Sequence, residues 1–234
     1  MKKIITFTFV AITAVSIACA QSVLGFKGTF GMNFGSKFTD EFSNSFIAYL
    51  EDLTGEKISA TDALMLNGGG SVYCRYNMPS APSLGVQWEV GFTVNNGAGK
   101  EVIIQGQKLT TEYSYLSIDM PLLLTFNIPA SSLMITPMIG INFSVPSGTP
   151  KIKEEFAGQK ANTKMDGFKV TGFIPGFIAG IEASIPVSSG AITVGASYIN
   201  DFTPVKVEQE GYRGTLDLIL RRNFNVSFGY ATKV

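Results

Sequence analysis

Residues 84–95 read LGVQWEVGFTVN: Leu84, Val86, Trp88, Val90, Phe92 and Val94 alternate with Gly85, Gln87, Glu89, Gly91, Thr93 and Asn95. A period of two is the signature of a strand with two different faces. In a soluble protein the apolar face turns into a core, and in a transmembrane barrel it turns out into lipid. The fold therefore hangs on which way Trp88 and Glu89 point.

The chain around this stretch is apolar and sparsely charged. Hydrophobic residues make up 45% of its 234 residues and charged ones 15%, against about 25% charged in ordinary soluble domains. Eighteen basic groups balance 18 acidic ones, so nucleic-acid binding, which needs a basic excess, is not expected. The opening MKKIITFTFVAITAVSIACAQS has two lysines, an apolar run from Ile4 to Ile17 and the small residues Ala18-Cys19-Ala20. That pattern predicts a signal peptide over 1–20, with a barrel domain over 21–234. Cys19 also leaves open lipidation of the mature N-terminus. Otherwise Cys74 is the single mature cysteine and no internal disulfide can form.

Seven further runs share the alternation: LGFKGTFGMNF (24–34), GGGSVYCRYNM (68–78), YLSIDMPLLLTFNI (115–128), LMITPMIGINFSV (133–145), GFIPGFIAGIEASI (172–185), AITVGASYINDF (191–202) and LDLILRRNFNVSFGY (216–230). With 84–95 they predict eight strands. Short links (PSAPS, PAS, VSSG) alternate with long ones of about 33, 20, 26 and 12 residues, the rhythm of an up-and-down antiparallel transmembrane barrel. An even number of strands closes the sheet and leaves no unpaired edge. Pro121, Pro137 and Pro175 fall inside strands and predict bulges or bends there.

If the first strand runs outward, the aromatic residues sort by depth into two girdles. Phe26, Tyr76, Phe126, Phe228 and Tyr230 form one, and Phe34, Phe92, Phe143, Phe173 and Phe202 the other. The opposite face carries Lys27, Arg75, Arg221, Glu89, Asp119 and Glu182, expected as a paired charge network in a lumen only wide enough for side chains. In the first long link, Phe42, Phe46, Tyr49, Leu50 and Leu53 recur at helical spacing before Gly55 and predict a short amphipathic helix.

YLSIDMPLLLTFNI, TPMIGINFSV (136–145) and RRNFNVSFGY (221–230) resemble the small outer-membrane β-barrel domain family of Bacteroidetes and spirochaetes, including PorT-like proteins. Tyr115, Leu116, Ile118, Pro121, Leu122, Leu123 and Leu124 match that family's Y-L-x-I-P-L-L-L strand, with Asp119-Met120 as extra residues. In architecture the chain looks like the OmpX- and OmpW-like eight-stranded barrels. It departs from them at its end, where ATKV follows Tyr230. The resemblance implies an outer-membrane location, contact with outer-membrane lipid and insertion by the barrel-assembly machinery.

No histidine is present, which excludes nucleophile–His catalysis and argues against a zinc site, since only one mature cysteine remains to ligate it. GAGKE (97–101) lacks the first glycine and the Ser/Thr of a phosphate loop and reads as a loop tip. The expectation is a protein without cofactor or catalysis: a membrane scaffold whose external loops meet a protein, support the envelope or assist secretion. One alternative is a narrow OmpW-like transporter for small hydrophobic ligands. The other is a soluble periplasmic lipocalin-like binding barrel, with the faces inverted.

Overall fold

The computed structural model describes residues 22–33, 37–210 and 215–233. The segment 1–20 and Phe34 lie outside these, as does the side chain of Phe42. The barrel strands are β1 (Ser22–Met32), β2 (Leu66–Met78), β3 (Ala81–Ile104), β4 (Gln107–Phe126), β5 (Leu133–Phe156), β6 (Ile174–Val187), β7 (Gly190–Asp201) and β8 (Arg222–Lys233). Each pairs antiparallel with the next in the chain. The β1–β8 ladder, from Val23↔Lys233 to Met32↔Phe224, closes the ring. The fold is a closed eight-stranded antiparallel barrel.

Within 84–95 the apolar positions face outward. Glu89 is 4% exposed and Phe92 52%, while Trp88 lies half-buried on the outer side. The pleat forces this choice on the whole strand: once Gln87 and Glu89 enter the interior, every residue two away from them follows.

Three strands are far longer than the alternating runs. β3 and β5 have 24 residues each and β4 has 20. The expected long links after β3 and β5 are therefore mostly strand. They end in two-residue turns at Gln105-Gly106 (φ 51° and 75°) and Ala157-Gly158 (φ 50° and 79°), left-handed pairs whose twist matches a hairpin. GAGKE is not a loop tip but part of β3. A Cβ at Gly97 would collide with the Tyr113 carbonyl oxygen, so glycine lets the strands close there. The register shift between Thr93 and Asn96 exchanges the inward and outward positions of β3, while the one between Ser114 and Leu116 adds two residues to β5 and leaves the phase of β4 and β5 unchanged. The alternation of β3 is broken there, which hid its extension from a period-two reading.

Of the expected bulges or bends at the prolines, no bulge forms, although the β3–β4 ladder skips Glu89 and Val90 opposite Pro121 and Met120 without a shift of register. Pro121↔Asn142, Pro137↔Ile181 and Pro175↔Phe143 sit in unbroken register. The neighbouring ladders hold the strands in line, and each proline forgoes one donor. The last expected strand is also cut in two at Arg221. Thr215–Leu220 joins a separate four-stranded sheet with Lys37–Phe38, Val205–Gln209 and Phe168–Thr171, and β8 begins after it.

This small sheet packs above the mouth at the long-loop end. Its core includes Phe38, Val170, Val205, Val207, Leu218 and Ile219, against Tyr113 and Tyr115 of β4. The protruding ends of β3, β4 and β5, flanked by Ala60–Ala63 and Gln159–Lys164, form a wall beside it. Helix α1 (Asp40–Thr54) leans on the same wall near its tip.

Candidate functional site

The interior contains two polar clusters, one above the other. Nearer the short turns, Lys27 Nζ donates to Glu89 Oε1 at 2.8 Å, and Gln87 Nε2 donates to the same oxygen at 2.6 Å. Arg75 Nε donates to Gln87 Oε1 at 2.6 Å, and its Nη2 to Glu182 Oε1 at 2.7 Å. The chain Lys27–Glu89–Gln87–Arg75–Glu182 thus crosses the lumen from β1 to β6. The Tyr73 ring lies 5.5 Å from Lys27 Nζ and 5.7 Å from the Arg75 guanidinium carbon, so both cations also face an aromatic surface.

Nearer the long-loop end, Arg221 is fully buried between two carboxylates. Its Nε and Nη2 donate to Asp201 Oδ2 and Oδ1 at 2.9 and 2.8 Å, a bidentate fork. Its Nη1 donates to Asp119 Oδ1 at 2.9 Å. Asp119 Oδ2 also accepts from Thr93 Oγ1 at 2.9 Å and Ser117 Oγ at 3.0 Å. Every oxygen of the two carboxylates has a donor, which is what allows charges this deep to persist. The backbone breaks at Arg221 so that this side chain can turn inward; the Asp201 N–H bonds its carbonyl at 3.0 Å.

All six charges singled out in the sequence face the interior, in two groups: Lys27, Arg75, Glu89 and Glu182 below, Asp119 and Arg221 above. Asp201 was missed. It sits on the polar phase of β7, in step with Thr193, Gly195 and Ser197, so the alternation carried the signal. With Asp201 the paired interior charges among the described residues are four acids against three bases.

Leu123, Met138, Ile178 and Ile199 form an apolar cluster inside the lumen. The remaining space is a cavity of about 60 Å³ that reaches Lys27, Glu89 and Asp119, room for a few waters at ~10–15 Å³ each. At the short-turn end the lumen opens into a bowl of about 640 Å³ with Arg75 at its floor. At the other end the packed core of the small sheet stands over the Asp201–Arg221–Asp119 triad. Burial there pushes the Tyr113 phenol up. Among the described residues no group of His, Cys, Asp and Glu is placed to hold a metal ion.

Of the helix residues, Leu50 is buried and Phe46 packs with Ile47 against Val102, Ile104 and Leu109. Tyr49 and Leu53 are exposed at 64% and 68%. The packed face is thus centred on Phe46–Ile47–Leu50. Of the girdle residues, Phe26, Phe126 and Phe228 are exposed on the outer surface toward the short-turn end, with Tyr76 and Tyr230 half-buried. Phe92, Phe173 and Phe202 are exposed toward the other end, where Phe143 stacks on Phe173 at 5.4 Å.

No protein-family model matches the chain, and no curated protein matches it in sequence. Among solved structures it is similar to Neisserial surface protein A (10% identity, 92% of this chain and 97% of that one, TM-score 0.42). It is also similar to the outer membrane protein OprG from Pseudomonas aeruginosa (12%, 92% and 98%, TM-score 0.48). A third is a major outer membrane protein from Thermus thermophilus (10%, 90% and 98%, TM-score 0.48). The strand pairing of this chain itself establishes the fold.

Proposed function

We propose that this chain is a non-catalytic outer-membrane barrel, closed to passage, that holds a packed domain on the outer side of the membrane as an interaction surface. The observation that carries this reading is the arrangement of the two faces. Leu24, Phe26, Phe30, Leu122, Leu124, Ile139, Ile141 and Phe228 are exposed around the barrel, while Arg75, Glu89, Glu182 and Arg221 are inside. In water, a ring of apolar surface this continuous is an aggregation site. In a bilayer it is the solvated face. From Leu84 to Val94 the outward positions span ten residue steps, which at ~3.4 Å per step and ~40° tilt is about 26 Å of height, the depth of an outer-membrane hydrocarbon band. Among the described residues no helix is long and apolar enough to cross a membrane, so the strands are the crossing elements.

A soluble lipocalin-like barrel needs apolar residues inside and charges outside, the reverse of what Glu89 and Phe92 do. A conduit for small hydrophobic molecules needs a continuous path. Among the described residues the cap core, the Arg221 triad and the apolar cluster fill much of the lumen around a cavity of about 60 Å³, which favours the closed scaffold.

The protein's single tryptophan provides the test. In liposomes with brominated acyl chains, Trp88 fluorescence is expected to be quenched, and aqueous iodide to leave it unchanged. Iodide quenching without bromine quenching, with fractionation into the soluble periplasm, would overturn the membrane reading. Planar-bilayer recording is expected to show no steady conductance, and ligand-selective flux in liposomes would restore the transporter.

A further inference from the structure

The wall above the barrel is laced by cross-strand ion pairs on its outer face: Lys108–Glu101 at 2.6 Å, Lys160–Glu155 at 3.3 Å and Lys153–Glu112 at 3.8 Å. One cross-strand pair breaks this pattern. Lys151 of β5 stands directly opposite Lys164 of the edge strand, with Ser114 on its other side. Both lysines are exposed. Neither makes an ion pair among the described residues, although Asp166 follows two positions later and Glu112 lies one row above, engaged by Lys153. Glu154 belongs to the opposite face, the one on which Ile152 packs into the cap core. Like charges directly opposite on one face destabilise a strand pair, so the arrangement calls for an anion from outside the chain.

Height identifies that anion. Leu116 and Ile118, 39% and 37% exposed, are the last apolar outward residues of β4. The Ser114–Lys151–Lys164 row is the next outward row beyond the Leu116↔Ser147 pair. Two residue steps at this tilt are about 5 Å, and headgroups occupy roughly 5–7 Å beyond the hydrocarbon on each side. Ammonium groups on flexible stems at that level reach lipid phosphates.

We propose that Lys151 and Lys164 together clamp a phosphate of a phosphorylated lipid in the outer leaflet, fixing the wall on the membrane surface. This rests on the outer-membrane reading above. The test uses the full-length mature protein in nanodiscs of phosphatidylcholine doped with either a bis-phosphorylated lipid A or its dephosphorylated form, with lipid retention read by native mass spectrometry. The wild type is expected to retain the phosphorylated lipid preferentially. Each of K151Q and K164Q is expected to lower that preference about fivefold, the weight of one cation near a charged surface, and K151R/K164R to keep it. Equal retention of both lipids by the wild type, or unchanged preference in the K151Q/K164Q double variant, would overturn the proposal. So would full competition by inorganic phosphate, which would assign the pair to a soluble anion. Heat-dependent gel mobility reads whether each variant is folded. Bromine quenching of Trp88 in the same nanodiscs reads membrane insertion separately, so failure of the clamp and failure of the barrel reading are distinct results.

Discussion

Arg221 is the residue on which the two halves of the molecule meet. It is fully buried, its guanidinium joins β7 to β4, and its backbone directly follows the Thr215–Leu220 strand of the small sheet. Arg221→Ala leaves Asp119 and Asp201 facing each other unpaired, and the expected loss is about 3–5 kcal/mol, read as a lower midpoint in denaturant unfolding of the refolded barrel. Asp201→Asn keeps one acceptor for the fork and is expected to cost less. Gly97 is a backbone constraint rather than a binding residue. Gly97→Ala drives a Cβ into the Tyr113 carbonyl and is expected to loosen the β3–β4 extension, read as faster amide exchange above Ser114 with the barrel ladder protected. Residue identity was legible on the polar face of each strand. Which residues bond to one another was not, because Arg75 reaches Glu182 across 107 positions of sequence and only the barrel's curvature joins them.

At the scale of elements, periodicity located every barrel strand and the helix, and it failed where the period itself changed. The bulge at Thr93/Asn96 exchanges the inner and outer phases of β3, and above the mouth the apolar side of β4 and β5 moves inward, where Tyr113, Tyr115 and Ile152 pack into the cap core, so the alternation stops short of where these strands end. The same limit applies to α1. Its apolar positions run around more than one face, and packing on Val102, Ile104 and Leu109 selects Phe46, Ile47 and Leu50. Leu50→Ala is expected to cost the cap about 2–5 kcal/mol, measured as faster protease cleavage within 40–54. Changing exposed Leu53 to serine is expected to stay within about 0.5 kcal/mol.

At the scale of the whole molecule, the barrel and its cap divide the chain into a protected ring and an accessible exterior. Gln159–Lys164 is exposed at every residue and lies at the far side of the wall from the short turns. On intact cells, trypsin is expected to cut at Lys160 while Lys27 and Arg75 remain uncut. The two fragments are expected to migrate together until boiled, because the β5–β6 and β1–β8 ladders stay paired. Cleavage only after the outer membrane is opened would reverse the orientation.

Alternation and the rhythm of short and long links determined the closed ring, its strand number and the polar nature of its interior from sequence alone, because each depends on residues close together along the chain. Only the tertiary structure decided that the long links rise as hairpins, that LDLIL leaves the barrel for a second sheet and that Asp201 completes the Arg221 triad. Those outcomes depend on contacts between distant strands and on what fills the space above the mouth. No local pattern carries either.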